Sequence, residues 1–205
     1  MSLEGVKGQR IGVFGGAFDP PHKAHVALAQ AAAQQLALDK LLIIPTGSAW
    51  HKARTLSEAR HRIAMCELAF AGVPGAQVDD RETRRSGPTY TADTLQELKA
   101  ENPNAALYLL IGEDQAQALG SWHRLDEVLR NAIICVAARA DFEPNPNSNG
   151  FKKLEIPDVR VLQMPQIPLS ATEIRLKAEQ QLNIAPLVFD SVARYIDQHH
   201  LYHSA

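Results

Sequence analysis

Arg10-Ile11-Gly12-Val13-Phe14, followed by Gly15-Gly16-Ala17-Phe18-Asp19-Pro20-Pro21-His22-Lys23-Ala24-His25, is the stretch whose reading organises the rest of the chain. Its first five residues read as a strand, ended by the glycine pair. Asp19-Pro20-Pro21 then stands before residues 22–38, rich in Ala, Leu and Gln, which are good helix formers. A proline there suits a helix start.

The same alternation continues outward. Residues 40–44 form a second apolar run closed by Pro45, and residues 57–71 have helical spacing, with Ile63, Cys66, Leu68 and Phe70 among the apolar positions. A short strand is expected near Gln77 and Val78, and a helix over 91–100. Residues 106–111 read as a strand, 125–129 as a helical stretch and 131–138 as a strand. A last strand over 159–162 precedes two closing helices, 170–182 and 186–199. Strands that are apolar throughout, rather than alternating, imply a parallel sheet covered on both faces. The expected fold is therefore α/β: doubly wound, mainly parallel, with a C-terminal helical part from about residue 168. Residues 141–150, with two Pro, three Asn and a Gly, read as a surface loop. With no internal repeat or sharp boundary, residues 1–205 read as a single domain.

Composition narrows the function. The 205 residues carry 21 Lys and Arg against 23 Asp and Glu, a net charge of −2. At 45% hydrophobic, 6% aromatic and 21% charged, the chain has the balance of a soluble globular protein. Near-neutrality argues against a surface built for nucleic acid but leaves room for a local anion site. Cys66 and Cys135 are too few for a disulfide framework or a four-thiolate zinc site, and read as buried thiols in a reducing cytoplasm. The first ten residues carry Gly5, Lys7, Gly8 and Arg10 without an apolar stretch, so no signal peptide is expected. No apolar run approaches the roughly 18 residues of a membrane helix. A cytoplasmic protein is expected, without membrane or nucleic-acid partners.

In an open parallel sheet, ligands bind at the carboxyl ends of the strands. The segment after the first strand is placed there. Gly15 and Gly16 let the backbone approach a ligand closely, and the helix start that follows favours an anion. His22 and His25, three apart, share one face of the first helical turn. Two imidazoles there can donate hydrogen bonds to phosphate oxygens and add positive charge. The string matches neither G-x-G-x-x-G nor the P-loop. With no H-E-x-x-H and no nearby cysteine, a zinc site is the weaker reading of the histidine pair. A second constellation is Pro168-Leu169-Ser170-Ala171-Thr172-Glu173-Ile174-Arg175. Ser170 with Glu173 is a capping box, which marks a helix start. Arg175 is left over, because a cation in the first turns opposes the helix dipole. A bound phosphate would relieve that conflict. Two helix-start sites facing each other suit a polyphosphate, and no G-x-S-x-G elbow is present. The implied chemistry is phosphoryl or nucleotidyl transfer, driven by positioning and charge neutralisation.

The 15–25 string resembles the first signature of the nucleotidylyltransferase superfamily, whose H-x-G-H histidines hold the phosphates of ATP. Residues 169–175 resemble its second, the S-x-T-x-x-R segment. Gly87-Pro88-Thr89-Tyr90-Thr91-Ala92-Asp93-Thr94-Leu95, Ile111-Gly112-Glu113-Asp114 and Ser121-Trp122-His123, in this order and spacing, are similar to bacterial nicotinate-nucleotide adenylyltransferases. The similarity runs from about Ile11 to about Tyr202 and includes the ending Asp197-Gln198-His199-His200-Leu201-Tyr202. It implies a Rossmann-like fold that transfers the adenylyl group of ATP to nicotinate mononucleotide, giving deamido-NAD and pyrophosphate in NAD biosynthesis. His22, His25, Lys52 and Arg175 would stabilise the crowded charge. Gly15, Gly16, Phe18, Arg139, Ser170 and Thr172 would meet ATP, with Arg139 bordering adenine. Mg²⁺ would bridge phosphate oxygens, held mainly by the substrate rather than by a protein metal site. Trp122 would stack on the pyridine ring, and Asp114 would bond the ribose hydroxyls. Thr91 and the backbone at His123 would hold the carboxylate, with His51 beside Lys52 in the 47–55 loop. Ala24 stands where the family pattern has glycine, and Arg139-Ala140-Asp141 where it more usually has Arg-Pro-Gly. The alternatives are a nicotinamide-mononucleotide or phosphopantetheine adenylyltransferase, or a non-catalytic pyridine-nucleotide-binding paralogue.

Two further groups are expected to be structural. Arg81, Arg84 and Arg85 read as a solvated face offset by Asp79, Asp80 and Glu82. His199, His200 and His203 read as a polar C-terminal tail rather than a metal site.

Overall fold

The computed structural model describes residues 8–47, 56–138, 159–165 and 167–203. Six parallel strands form one sheet in the order β3-β2-β1-β4-β5-β6. They are β1 (Arg10–Gly16), β2 (Lys40–Pro45), β3 (Ala76–Val78), β4 (Ala106–Gly112), β5 (Ile133–Ala138) and β6 (Val159–Gln163). Strand order reverses between β1 and β4, which opens a crevice at their carboxyl ends, the place where doubly wound folds take ligands.

Both faces of the sheet are buried, as the uninterrupted apolar runs require. Successive side chains of a strand point to opposite faces. Phe14, Leu41, Ile43, Tyr108, Leu110 and Cys135 therefore face α1 (Lys23–Gln35), α2 (Ala59–Phe70) and the C-terminal helices. Ile11, Val13, Leu42, Ile44, Leu107, Leu109 and Ile111 face α3 (Thr91–Glu101) and α5 (Leu125–Asn131). α4 (Glu113–Gln117) follows β4 directly, a five-residue helix too short to announce itself by periodicity. α6 (Ala171–Glu179) and α7 (Asp190–Gln198) close the chain. Both cysteines are buried free thiols, as expected.

Several boundaries differ from the sequence expectation for identifiable reasons. β1 runs on through the glycine pair, because Gly15 and Gly16 still pair with Ile44 and Pro45. β5 starts two residues late, because Asn131 stays in α5 with its side-chain amide on the Glu127 carbonyl at 2.8 Å. The second closing helix starts at Asp190 rather than Pro186. The preceding turn puts the Leu187 N–H on the Ile184 carbonyl at 2.9 Å and the Leu187 carbonyl on the Lys23 N–H at 3.1 Å.

The basic run at 81–85 is not simply a solvated face. Arg81 is largely shielded and bridges Asp79 at 2.8 Å and Glu101 at 3.0 Å, while Arg85 reaches Glu97 at 2.6 Å. Arg84 pairs with Asp80. Glu82, expected to offset these arginines, faces inward instead. His199 is likewise more than tail, since its ring lies 4.2 Å from Tyr195 and 5.1 Å from His61. The expected 141–150 loop lies outside the described residues, as do His51, Lys52 and Arg139.

Candidate active site

The chain reverses sharply after Gly16, at the crevice between β1 and β4. Gly15 is exposed, and a Cβ there would meet no neighbour, whereas one at Gly16 would sit 3.0 Å from the Phe18 ring. Phe18 takes a left-handed φ of 47° and is 1% exposed. Its ring packs edge-on against Phe14 at 5.3 Å and Phe70 at 5.7 Å. Phe18 thus anchors the turn in the core, and what it can offer a nucleotide is main chain, not ring.

The next turn delivers the histidines. His22 is the N-cap of α1, and its N–H donates to Nδ1 of His25 at 3.1 Å. Accepting at Nδ1 assigns the proton of a neutral His25 ring to Nε2, which is then a donor. The two rings stack with centroids 3.7 Å apart. His22 is 6% exposed, and its Nδ1 has no hydrogen-bond partner among the described residues. Burial pushes the imidazole down to about 4. At neutral pH His22 is therefore uncharged, and an anion must arrive before protonation becomes favourable. Lys23, between them, is turned away: its Nζ donates to the carbonyls of Ala185 and Pro186 at 3.1 and 2.9 Å.

Asp19 is where four parts of the chain meet. It is 2% exposed, with Oδ1 accepting from the Tyr202 hydroxyl at 2.7 Å and Oδ2 from the Ser57 N–H at 3.1 Å. Its carbonyl accepts from Arg175 Nη1 at 2.8 Å, which brings the second signature onto the first across 156 residues. Buried Arg62 braces the same turn, donating to the Ala17 carbonyl at 3.0 Å and the Ser57 carbonyl at 2.9 Å. Ser170 caps α6 as expected, its Oγ accepting from the Glu173 N–H at 3.2 Å. Arg175 also donates to Thr172 Oγ1 at 3.0 Å. So the conflict between Arg175 and the helix dipole is met in part by protein acceptors, which the sequence pattern does not reveal.

The other expected residues lie on the β4 side of the crevice. Thr91 is the first residue of α3, with Tyr90 as N-cap, and Asp114 stands exposed in the first turn of α4. Trp122 is half-buried against the core on the α3 and α5 face, and His123 is exposed. The ring of His123 lies 4.1 Å from that of Tyr90, so the start of α3 and the Trp122 segment meet there. Arg124, in a left-handed conformation with φ of 52°, pairs with Asp93 of α3 and with Glu127 at 3.3 Å. Tyr90, Arg124, Asp19 and Tyr202 were not singled out from the sequence. Their roles depend on partners distant along the chain, which no local pattern encodes.

Against known proteins, the sequence matches the cytidylyltransferase-like family over residues 13–177. It is 54% identical to a probable nicotinate-nucleotide adenylyltransferase of Albidiferax ferrireducens, over 96% of this chain and all of that one. A protein of the same description from Methylibium petroleiphilum is 41% identical over 95% of this chain and 92% of its own. In fold, the chain is similar to the Plasmodium falciparum nicotinic acid mononucleotide adenylyltransferase complexed with NaAD. The TM-score is 0.80 at 20% identity, covering 95% of this chain and 97% of the other. A putative nicotinate-nucleotide adenylyltransferase from Vibrio parahaemolyticus aligns with a TM-score of 0.70 at 16% identity, over 96% and 97% of the two chains. The matched span contains both signatures and the crevice between β1 and β4. The chain therefore belongs to the cytidylyltransferase-like family and, within it, to the nicotinate-nucleotide adenylyltransferases.

Proposed function

We propose that the protein transfers the adenylyl group of ATP to nicotinate mononucleotide, releasing pyrophosphate and forming deamido-NAD. The observation that carries this reading is the 2.8 Å bond from Arg175 to the Asp19 carbonyl, which joins the two phosphate-facing signatures at the sheet's switch point. An oxygen of the mononucleotide phosphate attacks the α-phosphorus of ATP. The bond from that phosphorus to the bridging oxygen breaks, and its electron pair leaves on pyrophosphate. The attacking phosphate is already ionised, so no side chain need take a proton.

The residues then act by position and charge. His25 Nε2 and the helix-start amides of α1 donate to phosphate oxygens, with His22 as a neutral donor that gains charge once phosphate offsets its burial. Arg175, Ser170 and Thr172 hold the phosphates from the α6 side, and the main chain at Gly15, Gly16 and Phe18 lies under the nucleotide. Lys52 clamps the phosphates with His51 beside it, and Arg139 borders adenine. Trp122, Asp114, Thr91 and the backbone at His123 take the acceptor. A pocket of N–H and O–H donors suits a carboxylate, which only accepts hydrogen bonds. Mg²⁺ would enter with ATP, held mainly by the substrate. When bound it neutralises phosphate charge, as such ions commonly do through substrate oxygens. The reading takes residues 1–205 as one catalytic unit working in the cytoplasm. Among the described residues, no helix is long and apolar enough to cross a membrane.

Pyrophosphate release with ATP and each mononucleotide tests the reading. Turnover with nicotinate mononucleotide well above that with the nicotinamide form is expected. Tight binding without turnover would point to the non-catalytic reading, and preference for the nicotinamide form would remove the carboxylate pocket.

A further inference from the structure

Glu82 lies in a 3-10 turn, Arg81–Arg84, among arginines engaged in ion pairs, yet its own side chain is turned inward and is 6% exposed. Its carboxylate is held by two hydroxyls from different elements. Oε2 accepts from Thr46 Oγ1 at 3.0 Å and Oε1 from Thr94 Oγ1 at 2.7 Å. Thr46 is the residue after β2, and its N–H donates to the Gly16 carbonyl at 2.8 Å. Thr94 is in the first turn of α3, three residues beyond Thr91, and is itself buried. With its own proton given to Glu82, the Thr94 hydroxyl accepts from Arg85 Nη1 at 2.9 Å. The backbone also closes on this point: a Cβ at Gly47 would sit 2.1 Å from the Glu82 carbonyl oxygen and 2.9 Å from Thr89 Cγ2.

We infer that Glu82 is a positioning residue for the acceptor nucleotide, tying the start of α3 to the end of β2 and through Thr46 to the glycine end of β1. The inference rests on the proposed placement of the mononucleotide beside Thr91 and Trp122. α3 carries Thr91 and, through Tyr90 and Asp93, touches His123 and Arg124, so its position sets that of the pyridine side as a whole. The ATP-side groups His22, His25 and Arg175 stand on α1 and α6, and the contacts of the Glu82 carboxylate do not reach them. Freeing one end of the Glu82 carboxylate loosens the acceptor site, while the Thr46 N–H keeps its bond to the Gly16 carbonyl and so leaves the ATP side in place. A carboxylate that only supported the fold would not separate the two substrates in this way.

Thr94→Val and Thr46→Val each remove one hydroxyl at nearly constant volume, and Thr94→Ser and Thr46→Ser put it back. Steady-state kinetics use whichever mononucleotide the wild-type protein accepts best, so failure of the nicotinate reading leaves this test intact. Titration calorimetry with the same mononucleotide reads the loss without turnover. The expected result for each Val variant is a KM for the mononucleotide raised on the order of tenfold, as loss of one hydrogen bond to a charged group allows. KM for ATP should stay within about twofold, since that factor is under 0.5 kcal/mol. Each Ser variant should recover most of the loss. Equal rises for both substrates, or lowered thermal stability with both KM values unchanged, would overturn the assignment. Should one Val variant not fold, the other carries the same split.

Discussion

The hydroxyl of Tyr202 donates to Oδ1 of Asp19 at 2.7 Å, joining residues 183 apart at the turn that leads into His22 and His25. Burial, followed by the charge and hydrogen bond of Asp19, raises the Tyr202 pKa well above the usual phenol range, so the proton stays in this bond at any working pH. The contact is a lock: one end of Asp19 holds the C-terminus, while its carbonyl holds Arg175.

Tyr202→Phe deletes one oxygen from that lock. A hydrogen bond to a charged group contributes about 1.5–3 kcal/mol, so denaturant unfolding should show a loss of that order. Because Asp19 also orients Arg175, KM for ATP should rise with little change for the mononucleotide. A variant as stable as the wild type would mean that Asp19 is held adequately without the Tyr202 hydroxyl.

Acid should destabilise the protein through His22. Its folded pKa of about 4 lies below its ordinary value of 6.5, so between the two the unfolded chain binds more protons. Stability therefore rises with pH across that window; the contribution is intact above pH 6.5 and lost as pH falls toward 4. The gap corresponds to about 3 kcal/mol. Unfolding free energies of the wild type and His22→Asn, measured from pH 7 to 4, should converge by that order. Parallel curves would remove His22 as the cause.

His25→Asn separates the capping role of His25 from its proposed role on phosphate. The amide oxygen can still accept from the His22 N–H, so the fold should hold. The Nε2 donor is lost, and losing one such donor typically costs roughly 100- to 1000-fold in rate. Near-normal kcat in a well-folded His25→Asn would take His25 out of the machinery.

Trp122→Ala should raise KM for the mononucleotide on the order of tenfold or more, since base–aromatic stacking contributes about 1–3 kcal/mol. Trp122→Phe should recover part of it. Trp122 also packs on the core, so thermal stability should fall in the Ala variant as well. Lost stability with unchanged KM would reduce Trp122 to a packing residue.

Much of the fold was legible because its signals are local. Apolar runs became β1, β2, β4 and β5 within two residues at each end, and the Ser170–Glu173 box became the start of α6. The strings that carry His22, His25 and Ser170–Arg175 were legible for the same reason, and the structure brings them together through the bond from Arg175 to the Asp19 carbonyl. Glu82 was misread as an offset for nearby arginines because its partners, Thr46 and Thr94, lie 36 and 12 residues away. Phe18 was expected at the nucleotide, and only the packing of its ring against Phe14 and Phe70 places it in the core.

By itself, then, the sequence determined the α/β alternation, the parallel sheet and the two helix starts after His22 and Ser170. These follow from hydrophobic period, glycine and proline placement and capping chemistry, all of which act over a few residues. Tertiary structure alone decided that Asp19 joins Tyr202, Ser57 and Arg175, and that His22 is neutral at rest. It also decided that one buried carboxylate spans the end of β2 and the start of α3. Those outcomes depend on burial and on contacts between distant segments, and both exist only once the sheet has assembled and water has been excluded from the crevice floor.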